Sequence, residues 1–329
     1  MDENNQALDQ SSLQPFASVA GHDGVLSDEA GEVVVKPCTQ AEVDFYQDSS
    51  IKHPDFAQFI PTFMGTLTLG PPSPPASAGH IDELVKTSGI DLPKSQGKKI
   101  AAETAVVLEN LEYGFTHPSV IDLKLGARLY APGTAAEKAA RLDKVAGETT
   151  TGSLNFRIAG MKVWNTLTND YDVYDKLYGR RFDKETVIAG FKTYFDSLTN
   201  TPKRLITGRQ IIAAGLDELR DIRMLLETKE SRFYSASVLI VFEGDPEALQ
   251  ERLLQQAGLQ ISQMQDSADE EQDEDDEIDE DEPPILRLKL IDFAHSSWCP
   301  GQGKDDNLIT GMINIEKQLQ LLLDGLPKD

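Results

Sequence analysis

"PSVIDLKLGARLY", residues 118–130, is the stretch on which the reading turns. Asp122 and Lys124 interrupt its apolar run two residues apart, and Gly126 follows at the next step of the same period. In a β-strand, residues i, i+2 and i+4 point to one face. The carboxylate and the ammonium therefore emerge side by side. A buried charge pair is a poor source of stability, which leaves open what this one is for.

Working outward, the first third of the chain is rich in strand patterns. Residues 1–15 are polar and are expected to form a disordered tail. "SVAGHDGVLSDEAGEVVVKP" contains two glycine turns and an alternating run, which predicts a hairpin and a strand ending near Lys36. Residues 38–50 have helical spacing, and "GPPSPPASAGH" (70–80) reads as a surface loop. "KKIAAETAVVLENLEYG" predicts another strand, ending at Glu109 to Tyr113. Beyond the quoted strand, helical patterns dominate. They cover "TAAEKAARLDKVAGE", residues 184–199, residues 205–228, and a segment with Asp245 as N-cap, Pro246 at the first turn and Gly258 past its end. "YSASVLIVFEG" (234–244) and "ILRLKLIDFAHS" (285–296) are strands, and an amphipathic helix spans about 308–325. At 329 residues the chain is long for one core. The predicted organisation is two lobes: 16–112, a hinge near 109–113, and 113–329.

Composition narrows the function classes. No apolar run approaches the roughly 20 residues of a membrane span, and the first residues do not resemble a signal peptide. Cys38 and Cys299 are the only cysteines, which argues against a disulfide framework and for a reducing compartment, cytosol or nucleus. Of the net charge of −24, 13 acidic residues fall in "DSADEEQDEDDEIDEDE" (266–282), leaving −11 elsewhere. Such a run is expected to be a disordered insert, either inert or a docking site for a basic partner. Basic residues form no basic–aromatic stripe, so direct nucleic-acid binding is not expected. His22, His53, His80 and His117 have no partners at zinc-ligand spacing.

Lys36, Asp122, Lys124 and Asp292 lie far apart in sequence but make chemical sense together. Transfer of a terminal phosphoryl group needs lysines to neutralise phosphate oxygens and a carboxylate to hold Mg²⁺. Asp292, read as ending a strand in "IDFAH", suits a hard cation. There is no Walker A sequence, and the protein-kinase set H-R-D-L-x-x-x-N and D-F-G is missing.

"PSVIDLKLG" (118–126) carries the P-x-x-x-D-x-K-x-G signature and resembles the inositol polyphosphate kinase family. Seven further blocks follow the family order: "VAGHDG" (19–24), "VVVKP" (33–37), "VLENL" (107–111), "RIAGMKVW" (157–164), "FYSASVLIVFEG" (233–244), "LIDFAHS" (290–296) and "DDNLITGMINI" (305–315). The resemblance covers residues 16–325. It implies an α+β, two-lobed kinase-like fold, related to protein kinases and ATP-grasp enzymes, with antiparallel sheets in both lobes and ATP between them. By that resemblance Lys36 would bind ATP phosphates, Glu109 and Leu111 would offer backbone groups to adenine, and Asp122 would hold the ribose. Lys124 would contact the transferred phosphoryl group or the reacting hydroxyl. Asp292 would carry Mg²⁺, or Mn²⁺ as an alternative ion, and Ser237 would support it. Ala236 and Val238 depart from the family pattern around that serine.

Lys138, Arg141 and Lys144 share a helical face. Spacing alone also fits a solvated face with Glu137 and Asp143 as partners. The family places its inositide-binding segment here, residues 127–160, which turns that face towards substrate phosphates. His295 would either touch a phosphate or pack behind the site. The short segment and the acidic insert are most similar to fungal inositol polyphosphate multikinases. That branch implies phosphorylation of inositol trisphosphate at the 6- and 3-hydroxyls towards the pentakisphosphate, in nucleus and cytoplasm. The alternatives are an inositol hexakisphosphate kinase, and a mainly non-catalytic interaction protein whose acidic run docks a transcription factor.

Overall fold

The computed structural model describes residues 13–19, 24–68, 104–266 and 285–327. Most of the expected tail, the turn at 20–23, the Pro-rich loop and nearly all of the acidic insert lie outside the described residues. The chain opens with β1 (Gln14–Pro15), β2 (Leu26–Ser27) and β3 (Val33–Pro37). Then come α1 (Gln40–Lys52), α2 (Pro54–Ala57), β4 (Phe63–Thr68) and β5 (Thr104–Glu109). The strands form one antiparallel sheet in the order β1-β2-β3-β5-β4. Its far face buries Val33, Val35, Ala105 and Val107. Alternation along β3 therefore sends Val34 and Lys36 to the opposite face. One boundary needs correction. Gln14 and Pro15, assigned to the tail, pair with Ser27 and Leu26, and Leu13 packs on the valine cluster. A single anchoring leucine in a polar stretch was too weak a signal to mark the start of a strand.

The second lobe follows with β6 (Pro118–Leu125), α3 (Ala136–Gly147), α4 (Thr150–Leu154), β7 (Phe156–Asn165) and β8 (Asp170–Tyr174). Helices α5 (Lys176–Gly179), α6 (Ile188–Tyr194), α7 (Asp196–Thr199) and α8 (Pro202–Glu227) precede β9 (Ser231–Phe233) and β10 (Ser237–Glu243). Helix α9 (Pro246–Asp266), β11 (Leu286–Ile291), β12 (Ser296–Trp298) and α10 (Asp306–Gly325) complete it. The main sheet runs β11-β10-β6-β7-β8, so the quoted strand is central. Ile121, Leu123 and Leu125 enter the large core with Phe191 of α6, Leu219 of α8 and Met312 of α10. Val120, Asp122 and Lys124 are left for the other face.

Three local readings differ from the structure. The helix expected over 184–199 is divided at Phe195, which stacks on Phe242 with centroids 5.5 Å apart. The strand expected over 234–244 starts only at Ser237, because Ser235 takes a left-handed φ of 62° in the break after β9. Helix α9 continues through Gly258 to Asp266, since a glycine inside a helix costs only about 1 kcal/mol. Asp245 does cap it, accepting from the Glu247 and Ala248 amides at 2.8 and 3.3 Å.

The link between the lobes is tied down by a buried acid. Glu243, fully buried at the end of β10, accepts from the amides of Thr116 and His117 at 2.7 and 2.9 Å and pairs with Arg252 at 3.0 Å. Glu243→Ala should destabilise the fold by about 3 kcal/mol or more, because it strands a buried cation and three amide donors, those of Thr116, His117 and Asp245. Denaturant unfolding monitored by circular dichroism checks this.

Candidate active site

Lys36, facing the cleft from β3, bridges two acids. Its Nζ lies 2.8 Å from Glu42 Oε1 and 2.7 Å from Asp292 Oδ1. Burial works against the charge, but Asp292 and Glu42 beside it hold the ammonium above the ordinary lysine value. Glu42 comes from the first turn of α1, is 1% exposed, and also accepts from the Phe293 amide at 3.2 Å. It thus ties the lysine strand of one lobe to the Asp292 turn of the other. Sequence reasoning missed this residue. The available signal was that Glu42, Phe45, Tyr46 and Ser49 form one helical stripe, and an acid on a buried stripe demands a cation.

Asp292 follows β11 with φ 69°, in the left-handed region. A non-glycine residue held there costs about 1–3 kcal/mol and commonly marks a functional turn. Its Oδ2 lies 3.8 Å from Lys124 Nζ, and Lys124 also donates to the Ser235 carbonyl at 2.9 Å. Lys36, Asp292 and Lys124 therefore form one chain of charges across the cleft. Ser237 pairs in register with Lys124 on one side and Ile291 on the other. Its hydroxyl is buried and has no hydrogen-bond partner among the described residues. That orphaned oxygen, across the ladder from the residue before Asp292, fits a hard divalent ion, which commonly takes one or two protein oxygens and completes its shell with phosphate and water. Among the described residues, no group of three His, Cys, Asp or Glu side chains is arranged to hold a metal unaided.

Beside this cluster lies a slot of roughly 730 Å³, partly open to solvent. Val19, Val25, Leu108, Leu111, Val120, Leu239 and Ile291 supply its apolar walls, and Lys36, Glu109, Asp122 and Asp292 its polar rim. Asp122 is 1% exposed on the slot floor. At the hinge, Glu109 donates its amide to Thr62 O at 3.0 Å, so that N–H is committed within the lobe. Arg287 donates to the Leu111 and Tyr113 carbonyls at 3.2 and 2.6 Å, and Glu112 pairs with Lys162 of β7. The hinge is therefore held by the lower lobe, which positions Leu111 against the slot.

Gly126 ends β6 with φ 89°, and a Cβ there would lie 2.4 Å from Asn307 Nδ2. Asn307 bonds both backbone groups of Arg128, at 2.9 and 3.1 Å, fixing where the following segment leaves the cleft. On α3, Lys138, Arg141 and Lys144 are all exposed. Burial, with the positive charges of Lys138 and Lys124 and against the pull of Glu42, pushes the His295 imidazole below its ordinary value. His295 and Lys138 thus belong to the neighbourhood of the cluster. Lys144 instead lies 3.9 Å from Glu148, a partner not anticipated.

A two-lobed kinase-like fold, with a nucleotide-sized slot and a lysine–carboxylate–lysine chain beside it, defines the class. A sequence profile described as inositol polyphosphate kinase matches residues 105–320. The inositol polyphosphate multikinase of Saccharomyces cerevisiae is 33% identical, over 89% of this chain and 93% of its own length. Inositol hexakisphosphate kinase 1 of Rattus norvegicus is 28% identical, over 70% of this chain but 54% of its own. The crystal structure of the S. cerevisiae inositol phosphate multikinase Ipk2, in complex with ADP and Mn²⁺, superposes with a TM-score of 0.64 at 28% identity, covering 89% of this chain and 100% of that one. The chain belongs to the inositol polyphosphate kinase family.

Glu42→Gln removes the charge that holds Lys36 from above while leaving Asp292 in place. Turnover should fall about tenfold to a hundredfold, the value of one charge-assisted hydrogen bond, in steady-state assays with the fold intact by circular dichroism.

Proposed function

We propose that the chain is an ATP-dependent inositol polyphosphate multikinase. It phosphorylates inositol 1,4,5-trisphosphate at the 6- and 3-hydroxyls towards the pentakisphosphate. The observation that carries this reading is the Lys36–Asp292–Lys124 chain beside the slot, with ion-pair distances of 2.7 and 3.8 Å. The apolar walls accept adenine, the hinge near Glu109 and Leu111 lines one edge, and Asp122 faces the ribose. Lys36 neutralises the donor phosphates. Lys124 sits where the acceptor hydroxyl oxygen bonds to the γ-phosphorus as the bond to ADP breaks, and the hydroxyl proton passes to solvent. A Mg²⁺ ion at Asp292 and Ser237, or Mn²⁺ in its place, would spread the charge on the transferring oxygens.

The acceptor lies towards α3, whose exposed Lys138, Arg141 and Lys144 offer a basic surface and whose Lys138 acts electrostatically on His295. Only α3 and the short α4 separate β6 from β7, so few walls enclose the ring and several phosphorylation states fit. A match along 93% of a multikinase, against 54% of a hexakisphosphate kinase, favours the multikinase branch. The hexakisphosphate kinase reading remains the second choice. The acidic run at 266–282 is assigned a separate role, docking a basic transcription-associated partner, with the protein in nucleus and cytoplasm.

Incubating the protein with ATP, Mg²⁺ and each inositol phosphate in turn tests the acceptor. Successive products from the trisphosphate to the pentakisphosphate are expected, and activity on the hexakisphosphate alone would sink the reading. Asp292→Ala should abolish transfer with the fold retained, whereas near-normal turnover would remove Asp292 from the metal site. Deleting residues 266–282 should leave turnover within about twofold, as so acidic a sequence has almost no apolar side chain to contribute to a core.

A further inference from the structure

The cleft face of the second sheet does not end at Lys124. Arg157 on β7 pairs in register with Lys124, so the two side chains share that face about 5 Å apart at Cβ. Arg157 Nη1 donates to Thr151 Oγ1 of α4 at 3.0 Å. Beside it, Gly179 lets α5 lie directly on β7: a Cβ there would stand 1.9 Å from the Ile158 carbonyl. Arg180, the next residue, is near enough to act on the Arg157 charge. Neither guanidinium lies within 4.0 Å of a carboxylate among the described residues, and the Nε of each is buried without a hydrogen-bond partner.

Two half-buried arginines side by side oppose each other unless an anion joins them. Burial and the neighbouring Arg180, partly offset by Asp122, push Arg157 down to about 10, so it is still cationic at neutral pH. The nucleotide slot lies on the β10–β11 side of Lys124, and the arginines lie on the β7 side, beyond the transfer point. The planar fork of arginine is matched to phosphate oxygens.

We propose that Arg157 and Arg180 form a phosphate subsite for the acceptor, gripping one ring phosphate of the inositol polyphosphate about one strand-width beyond Lys124. This rests on the acceptor being an inositol phosphate, as argued above. The row Asp292, Lys124, Arg157, Arg180 then sets which way the ring lies, and so which hydroxyl meets the donor.

The test is steady-state kinetics of the full chain and of Arg157→Gln, Arg157→Lys and Arg180→Gln. Acceptors are inositol 1,4,5-trisphosphate and the three bisphosphates that each lack one of its phosphates. KM for the trisphosphate should rise about tenfold or more in each Gln variant, with KM for ATP unchanged and part of the loss recovered in Arg157→Lys. The penalty should vanish for the one bisphosphate lacking the gripped phosphate. An unchanged KM, an equal rise for ATP, or the same penalty on every acceptor would overturn the subsite. Should Arg157→Gln melt early by circular dichroism, Arg180→Gln decides the matter by the same criteria. A wild-type chain inert on all inositol phosphates would instead overturn the functional reading, and the subsite with it.

Discussion

The Asp292 carboxylate, held between Lys36 of one lobe and Lys124 of the other, is the constraint on which the site depends. Three charged groups converge where burial penalises each of them singly, and each is tolerated because its neighbours compensate. Glu42 adds a second acid to Lys36 and, through the Phe293 amide, reaches the backbone beside Asp292. The left-handed turn at Asp292 is strain that these contacts hold in place. An arrangement costly for folding but matched to phosphate and a divalent ion is what phosphoryl transfer requires.

The rest of the fold serves to aim these groups. Strand β6 sits in the middle of its sheet with one face sealed against helices, so Asp122 and Lys124 have little freedom to move. Glu243, Arg287 and Lys162 tie the hinge to the lower lobe, and Asn307 clamps the chain as it leaves β6. The slot and the Arg157 side of the cleft are thereby set on opposite flanks of one strand. A rigid floor with ligands arriving from two sides suits transfer between them.

Much of this was legible in the sequence because the informative pattern was local. A period of two placed Asp122 and Lys124 on one face, opposite the core-facing Ile121, Leu123 and Leu125. What that face binds came from the ordered blocks, not from spacing. The residues missed were those whose meaning depends on distant partners. Glu42 looks like any helix acid until Lys36 and Phe293 close on it, and Arg157 looks like an ordinary strand arginine until β7 registers against Lys124. The exposed faces of α3 gave the weakest prediction: of three basic residues at helical spacing, Lys138 sets its charge against His295 and Lys144 lies beside Glu148. Boundaries slipped where a single residue decided them, as at Leu13, Ser235 and Gly258.

The most direct measurement is a crystal structure of the chain with a non-hydrolysable ATP analogue, Mn²⁺ and inositol 1,4,5-trisphosphate. The account predicts Mn²⁺ bound to Asp292, Lys36 on the donor phosphates, and the acceptor hydroxyl beside Lys124 facing the γ-phosphate. A nucleotide outside the slot, or a metal bound without Asp292, would contradict it.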